Sequence, residues 1–233
     1  MRPVPTLLTI LALAAHVEAG PRVVLDPGHG GSNLGAQGPI REKQLTLTLA
    51  TLVASRLNAR GIATVLTRTS DKTLTLRQRI DTANQLAADL FVSIHANASP
   101  TRTQHGYETF VLSAAAVDID GRALRAKSTT PRPGIDAEVA LVLDDLERGS
   151  AQWESAELAA RIQHELRTRR GADGDRGVRQ EAHHVLLGAT MPAVLVEVGF
   201  IDHPVEGKEL ARDTVQAQLA DAIAEAIADQ LAD

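Results

Sequence analysis

Hydrophobic and polar positions divide the chain into short apolar runs and longer stretches with helical recurrence. Val23-Val24-Leu25 is an apolar run that breaks at Asp26-Pro27, as a buried strand does at its end. Glu42 to Arg60 carries Leu45, Leu49, Leu52, Val53 and Leu57 on one stripe. That spacing predicts an amphipathic helix, ended by Gly61. Ile62 to Leu66 predicts a strand. Asp71 to Thr75 supplies helix-start residues, and Leu76, Ile80, Ala83 and Ala87 line the helix after it. Leu90 to Ile94 is another apolar strand, ending at His95, and Tyr107 to Leu112 is a further one. Strand alternating with helix predicts a mostly parallel sheet with helices on both faces, an α/β fold.

Ser113 to Ser150 breaks that rhythm. Its first half holds Pro131, Pro133 and Gly134, while Ile135, Val139, Val142, Leu143 and Leu146 recur at helical spacing before Gly149. A second helix is expected from Trp153 to Arg169, then a polar turn-rich loop over Gly171 to Gly177. His184 to Leu187 and Ala193 to Val198 read as strands. Val205 to Leu231 reads as one long closing helix, with Val215, Leu219, Ile223 and Ile227 inward. There is no internal repeat and no composition shift that marks a second domain.

Composition narrows the classes. Hydrophobic residues make up 44% and charged ones 23% of 233, the balance of a globular protein. A net charge of -5 argues against nucleic acid as a partner. There is no cysteine, so any metal must be held by His, Asp or Glu, and no disulfide or lipidated cysteine is available. Met1 to Ala19 has the pattern of a secretory signal: Arg2, an apolar run Leu7 to Ala15, and a small-residue site at Val17-Glu18-Ala19. The run is too short to span a membrane. An exported protein with no stable membrane anchor is expected, with residues 20–233 as its mature domain.

The chemistry gathers around the glycine-rich loop after the first strand. His29 stands among Gly28, Gly30 and Gly31. Taken alone, the loop also suits a tight turn, and it matches neither GxGxxG nor a GKS/GKT phosphate loop. His95 ends the strand Leu90 to Ile94, and Glu197 lies near the end of Ala193 to Val198. In a parallel sheet all three emerge at the carboxyl edge, where α/β folds assemble their sites. Glu42, in the first helical turn, reaches the same edge. Singly, Glu42 fits a helix-start carboxylate and His95 a partly buried histidine. Glu197, inside PAVLVEVGF, is expensive to bury unpaired. Two imidazoles and one carboxylate are the ligand set of a catalytic zinc, which leaves the other carboxylate to move a proton. His183 and His184 are adjacent, so in a strand one of them would line the cleft.

At these residues the chain resembles the zinc-dependent N-acetylmuramoyl-L-alanine amidases of bacterial cell walls. LDPGHGG, REKQLTL, LRQRIDTANQLAADLFVSIHAN, GYETFVL, RGVRQ and MPAVLVEVGFIDHPVE follow the family's order along nearly all of the expected mature chain. The resemblance implies a twisted, mostly parallel six-stranded sheet. It implies that His29, Glu42 and His95 bind Zn2+ and that Glu197 is the catalytic glutamate. The implied substrate is peptidoglycan, cut at the amide between N-acetylmuramic acid and L-alanine of the stem peptide. Residues 113–150 resemble the helical insertion of the cell-division branch, which covers the zinc cleft until an activator protein displaces it. Glu138 is the first candidate for an acid that plugs the metal. A signal segment points to the periplasm. The competing expectations are a non-catalytic wall-binding or regulatory module on the same fold, or another zinc peptidase or deacetylase.

Overall fold

The computed structural model describes residues 20–117 and 135–232. The expected signal segment therefore lies outside the described residues, as do the side chains of Glu138 and Val142. Six strands form one sheet: β1 (Arg22–Pro27), β2 (Ala63–Leu66), β3 (Leu90–Asn97), β4 (Tyr107–Leu112), β5 (Asp175–Glu181) and β6 (Ala193–Phe200), in the order β2-β1-β3-β6-β4-β5. β2, β1, β3 and β6 run parallel to one another. β4 pairs antiparallel with β6 and parallel with β5. The sheet is thus mostly parallel and six-stranded, as expected.

The helices are α1 (Glu42–Asn58), α2 (Leu76–Gln85), α3 (Ala137–Arg170), α4 (Glu206–Leu210) and α5 (Asp213–Gln230). Strand side chains alternate between faces, so each strand feeds two cores. On one face Val23, Leu25, Val92, Ile94, Val194 and Val196 pack against Leu45 and Leu49 of α1, Leu158 and Ile162 of α3, and Leu219 and Ile223 of α5. On the other, Val24, Phe91, Phe110 and Leu195 meet Ile80 and Ala83 of α2 and the turns carrying Val185, Leu186 and Met191. This second layer is small and stops short of the strands' carboxyl ends. His95 follows Phe91 and Ser93 on that face, and Glu197 follows Leu195. Among the described residues, no helix is long and apolar enough to cross a membrane.

Several expected elements are corrected. The two helices flanking Gly149 are one helix of 34 residues. An added Cβ at Gly149 would meet nothing within 4 Å. The glycine carries a propensity cost of about 1 kcal/mol but no packing conflict, and the helix runs through it. The sixth strand is not His184 to Leu187, which forms turns, but Asp175–Glu181, which begins inside the Gly171 to Gly177 stretch read as a loop and continues beyond it. β5 is an edge strand whose residues are half-buried or exposed, so its sequence lacks the apolar signature. The closing helix is divided at Ala211-Arg212, where Arg212 is extended and Gln216 Nε2 donates to Leu210 O at 2.8 Å. α2 begins with a capping box between Thr75 and Gln78. Asp71, expected at that helix start, instead turns toward the His29 loop.

Candidate active site

β1 ends at Pro27, and the chain is then held close to β3, Gly28 N–H donating to Ile94 O at 3.0 Å. His29 adopts φ +58°, uncommon for a residue with a side chain. Two glycines leave room for the functional side chains. A Cβ on Gly28 would stand 2.4–2.7 Å from ring atoms of His95, and one on Gly35 (φ +66°) would stand 2.4 Å from Glu42 Oε2 and 2.7 Å from His29 Cδ2.

Glu42 is the first residue of α1, where the helix dipole favours an anion. Its Oε2 accepts from Ala36 N–H at 2.7 Å and its Oε1 from Ala96 N–H at 3.0 Å. His29 Nε2 lies 2.9 Å and His95 Nδ1 3.0 Å from the same Oε1. The opposite nitrogen of His29 pairs with Asn33 Oδ1 at 2.9 Å, which orients the ring. Donor atoms of His29, Glu42 and His95 all lie within 4.8 Å of one another. Two imidazoles and a carboxylate converging from three elements fit a divalent metal of the zinc kind.

Electrostatics separates the two glutamates. Burial opposes ionisation of Glu42, but hydrogen bonds with His29 and His95 outweigh it and bring the carboxyl down to about 2. Burial likewise opposes charge on His29, yet Glu42 and Asn33 raise the imidazole above its ordinary value. Glu197 is pushed well above the usual carboxylate range by burial, then by Glu42 and Glu108. Glu197 is the register partner of His95 across β3 and β6. Its Oε2 is a buried oxygen with no hydrogen-bond partner among the described residues. The ladder shifts register just beyond, between His95 and Asn97, a kind of irregularity that re-aims side chains beside sites.

Glu108 was not expected here. It faces Glu197 across the one antiparallel junction of the sheet. It is nearly buried and accepts from Asn97 Nδ2 at 2.9 Å and Arg176 Nε at 3.1 Å, with Arg179 Nε at 3.5 Å. The rule applied to Glu197 finds it too, because a carboxylate inside YETFVL also needs partners. His183 is not in a strand, but its ring lies edge-on to Phe110 at 4.4 Å, on the face that carries the site. Burial lowers its pKa, which favours the neutral ring. His105 and His203 lie together in loops, their rings 5.7 Å apart.

A mostly parallel sheet that gathers two imidazoles and two carboxylates at its carboxyl edge defines an α/β enzyme with a candidate metal centre. The model of the N-acetylmuramoyl-L-alanine amidase family matches residues 23–229, and the chain belongs to that family. It is 34% identical over 215 residues to the amidase AmiA of Escherichia coli K12, covering 88% of this chain and 74% of that one. It is 33% identical over 205 residues to LytC of Bacillus subtilis, covering 88% of this chain and 34% of LytC. Among solved structures, the amidase AmiC2 of Nostoc punctiforme superimposes with a TM-score of 0.69 at 28% identity, over 91% of this chain and 98% of that one. The amidase of Clostridium difficile 630 superimposes with a TM-score of 0.71 at 29% identity, over 92% and 98%.

Proposed function

We propose that this protein is an exported zinc amidase that cuts peptidoglycan between the lactyl group of N-acetylmuramic acid and L-alanine of the stem peptide. The observation that carries this reading is Glu197 Oε2, a buried oxygen without a hydrogen-bond partner among the described residues, beside His29, Glu42 and His95. Those three residues would hold the metal. A zinc there supplies Lewis-acid polarisation of the scissile carbonyl and makes water more acidic. Glu197 then has the proton work. A carboxyl raised by burial and by two neighbouring carboxylates is a stronger base than an ordinary glutamate. It takes a proton from the attacking water and gives it to the leaving nitrogen. The products are a free lactyl carboxylate and a stem peptide with a free amine. Digestion of purified sacculi tests this. Mass spectrometry should find stem peptides beginning at L-alanine, and products cut within the peptide would point instead to a zinc peptidase.

Export rests on Met1 to Ala19. Mature protein from the periplasm should begin near Gly20, and protein still starting at Met1 would count against export. Regulation rests on residues 113–150. The amino-terminal half of α3 exposes Val139 and Leu146 (51% and 65%), apolar surface that suits an activator protein. An acid of this half, with Glu138 as first candidate, would plug the metal until the activator binds the displaced state. Replacing 113–150 by a short glycine-serine bridge should raise hydrolysis of sacculi and leave zinc content unchanged. Unchanged hydrolysis would leave the segment a docking surface only.

A further inference from the structure

Beneath the His29 loop lies a buried cationic cradle. Arg79 Nη1 donates to Pro27 O at 2.8 Å and Nη2 to His29 O at 2.6 Å. Arg68 Nε donates to Pro27 O at 3.0 Å and Nη2 to Gly28 O at 2.7 Å. Arg68 Nη2 also reaches Lys43 O at 2.8 Å, in the turn of α1 that presents Glu42. Three successive carbonyls of the loop are therefore gripped by two guanidinium forks. The next turn is held as well. Lys43 Nζ donates to Gly31 O at 2.9 Å and to Asp71 Oδ2 at 2.6 Å, while Asp71 Oδ1 accepts from Gly31 N–H at 2.6 Å.

Both arginines are almost wholly buried. Arg79 is anchored by Asp26, whose Oδ1 it meets at 2.7 Å and which also accepts from Thr67 Oγ1 at 2.5 Å and Ser93 Oγ at 2.8 Å. Burying two cations is expensive, and covering core alone would not require them. What they hold is the backbone on which His29 sits at positive φ. A guanidinium fork fixes several acceptors in one plane, which an ammonium cannot do.

We infer that Arg68 and Arg79 are positioning residues that set the His29 loop in its metal-receiving conformation before the metal arrives. The inference rests on the metal reading above. Its test is built to separate the two. Removing Arg79 alone would leave Asp26 buried without its cation, so the neutral pair Asp26→Asn with Arg79→Gln is the variant of choice. Arg68→Lys is the second, since Arg68 hydrogen-bonds backbone and Thr46 rather than a carboxylate. Leu219→Ala, in the core on the other face, is the control for general destabilisation. Zinc affinity is measured against a competing chelator, and the visible spectrum is recorded for cobalt(II)-loaded protein. Both cradle variants should bind zinc about 10–100-fold more weakly and shift the cobalt spectrum, as loss of a ligand's supporting partner does. Leu219→Ala should lower the melting temperature and leave both readouts alone. Wild-type zinc affinity in both cradle variants, or an equal loss in Leu219→Ala, would overturn the inference. Should neither cradle variant fold, metal-free wild-type crystals decide. His29 at positive φ with its carbonyls still held supports preorganisation, and a rearranged loop refutes it. Wild-type protein that binds no zinc would remove the metal reading itself, leaving the loop to be judged on those crystals.

Discussion

Glu42 and Glu197 are the same kind of residue pushed in opposite directions. Glu42 gains hydrogen bonds from two imidazoles and two backbone amides; Glu197 faces Glu108, and its Oε2 finds no partner among the described residues. Pairs driven apart in this way divide roles, one ionised and one able to carry a proton. Glu197→Gln should therefore keep zinc and lose hydrolysis by roughly 10²–10⁴-fold. The metal-free protein should respond with the opposite sign. A carboxyl whose folded pKa is raised costs nothing below its ordinary value of about 4.3 and costs progressively more as pH rises above it. Urea denaturation of metal-free Glu197→Gln should thus show a gain over wild type at pH 7 that vanishes near pH 4. A gain that persisted at pH 4 would refer it to packing. Glu42 runs the other way. Its contribution is present above the ordinary glutamate value and lost as pH falls toward about 2. Both glutamates were legible in the sequence, Glu42 as a helix-start acid and Glu197 as a charge in an apolar run. Glu108 was missed because its partners Arg176 and Arg179 lie on β5, a strand that apolar spacing did not reveal.

At the scale of elements, α3 has two halves with different duties. Beyond Gln152 it is docked. Leu158, Ile162 and Leu166 are fully buried, Ser155 Oγ accepts from Ala193 N–H at 2.9 Å, and Gln163 bonds Thr109, Tyr107 and Asp175. Ile162→Ala should cost about 2–5 kcal/mol, the range for a buried aliphatic truncated to alanine. Leu146→Ser should stay within about 0.5 kcal/mol of wild type, since it alters an exposed position. Gly149→Ala should stabilise by about 0.5–1 kcal/mol, because the new Cβ meets nothing and helix propensity improves. Chemical denaturation of the three variants checks all three values. A loss in Gly149→Ala would mean that the bend-permitting glycine matters to α3. Periodicity exposed both halves of this helix but not their continuity, because glycine signals a stop whether or not the helix obeys it. β5 escaped for a related reason: an edge strand half in water need not alternate.

The whole molecule places its heavy core on one face of the sheet and its chemistry at the edge of the thin one. α1, α3 and α5 form the first; α2 and a few turns form the second. The candidate metal centre draws on the β1 loop, α1 and β3, so a bound ion would tie three elements together. Zinc at about a hundredfold excess over its Kd should add about 2.7 kcal/mol to stability, roughly 5–10 °C in melting temperature for a domain of this size. Calorimetry with and without chelator measures this, and no shift would argue against zinc at the site. At this scale the sequence was most legible. Strand–helix alternation and the sheet edge followed from apolar spacing, and the family segments lay in order. The antiparallel β4 was not foreseen, because an apolar run carries no sign of its direction.

One exposed side chain decides how this protein can be watched. Trp153 is the single tryptophan, and it stands 70% exposed on α3, seven residues beyond Leu146 and fourteen beyond Val139. Its emission in the folded protein should already resemble that of indole in water, so fluorescence will follow unfolding poorly and circular dichroism is the better monitor. The same position makes it a native reporter. Whatever covers that side of α3 should move the emission to shorter wavelength and shield the indole from iodide, with no label attached.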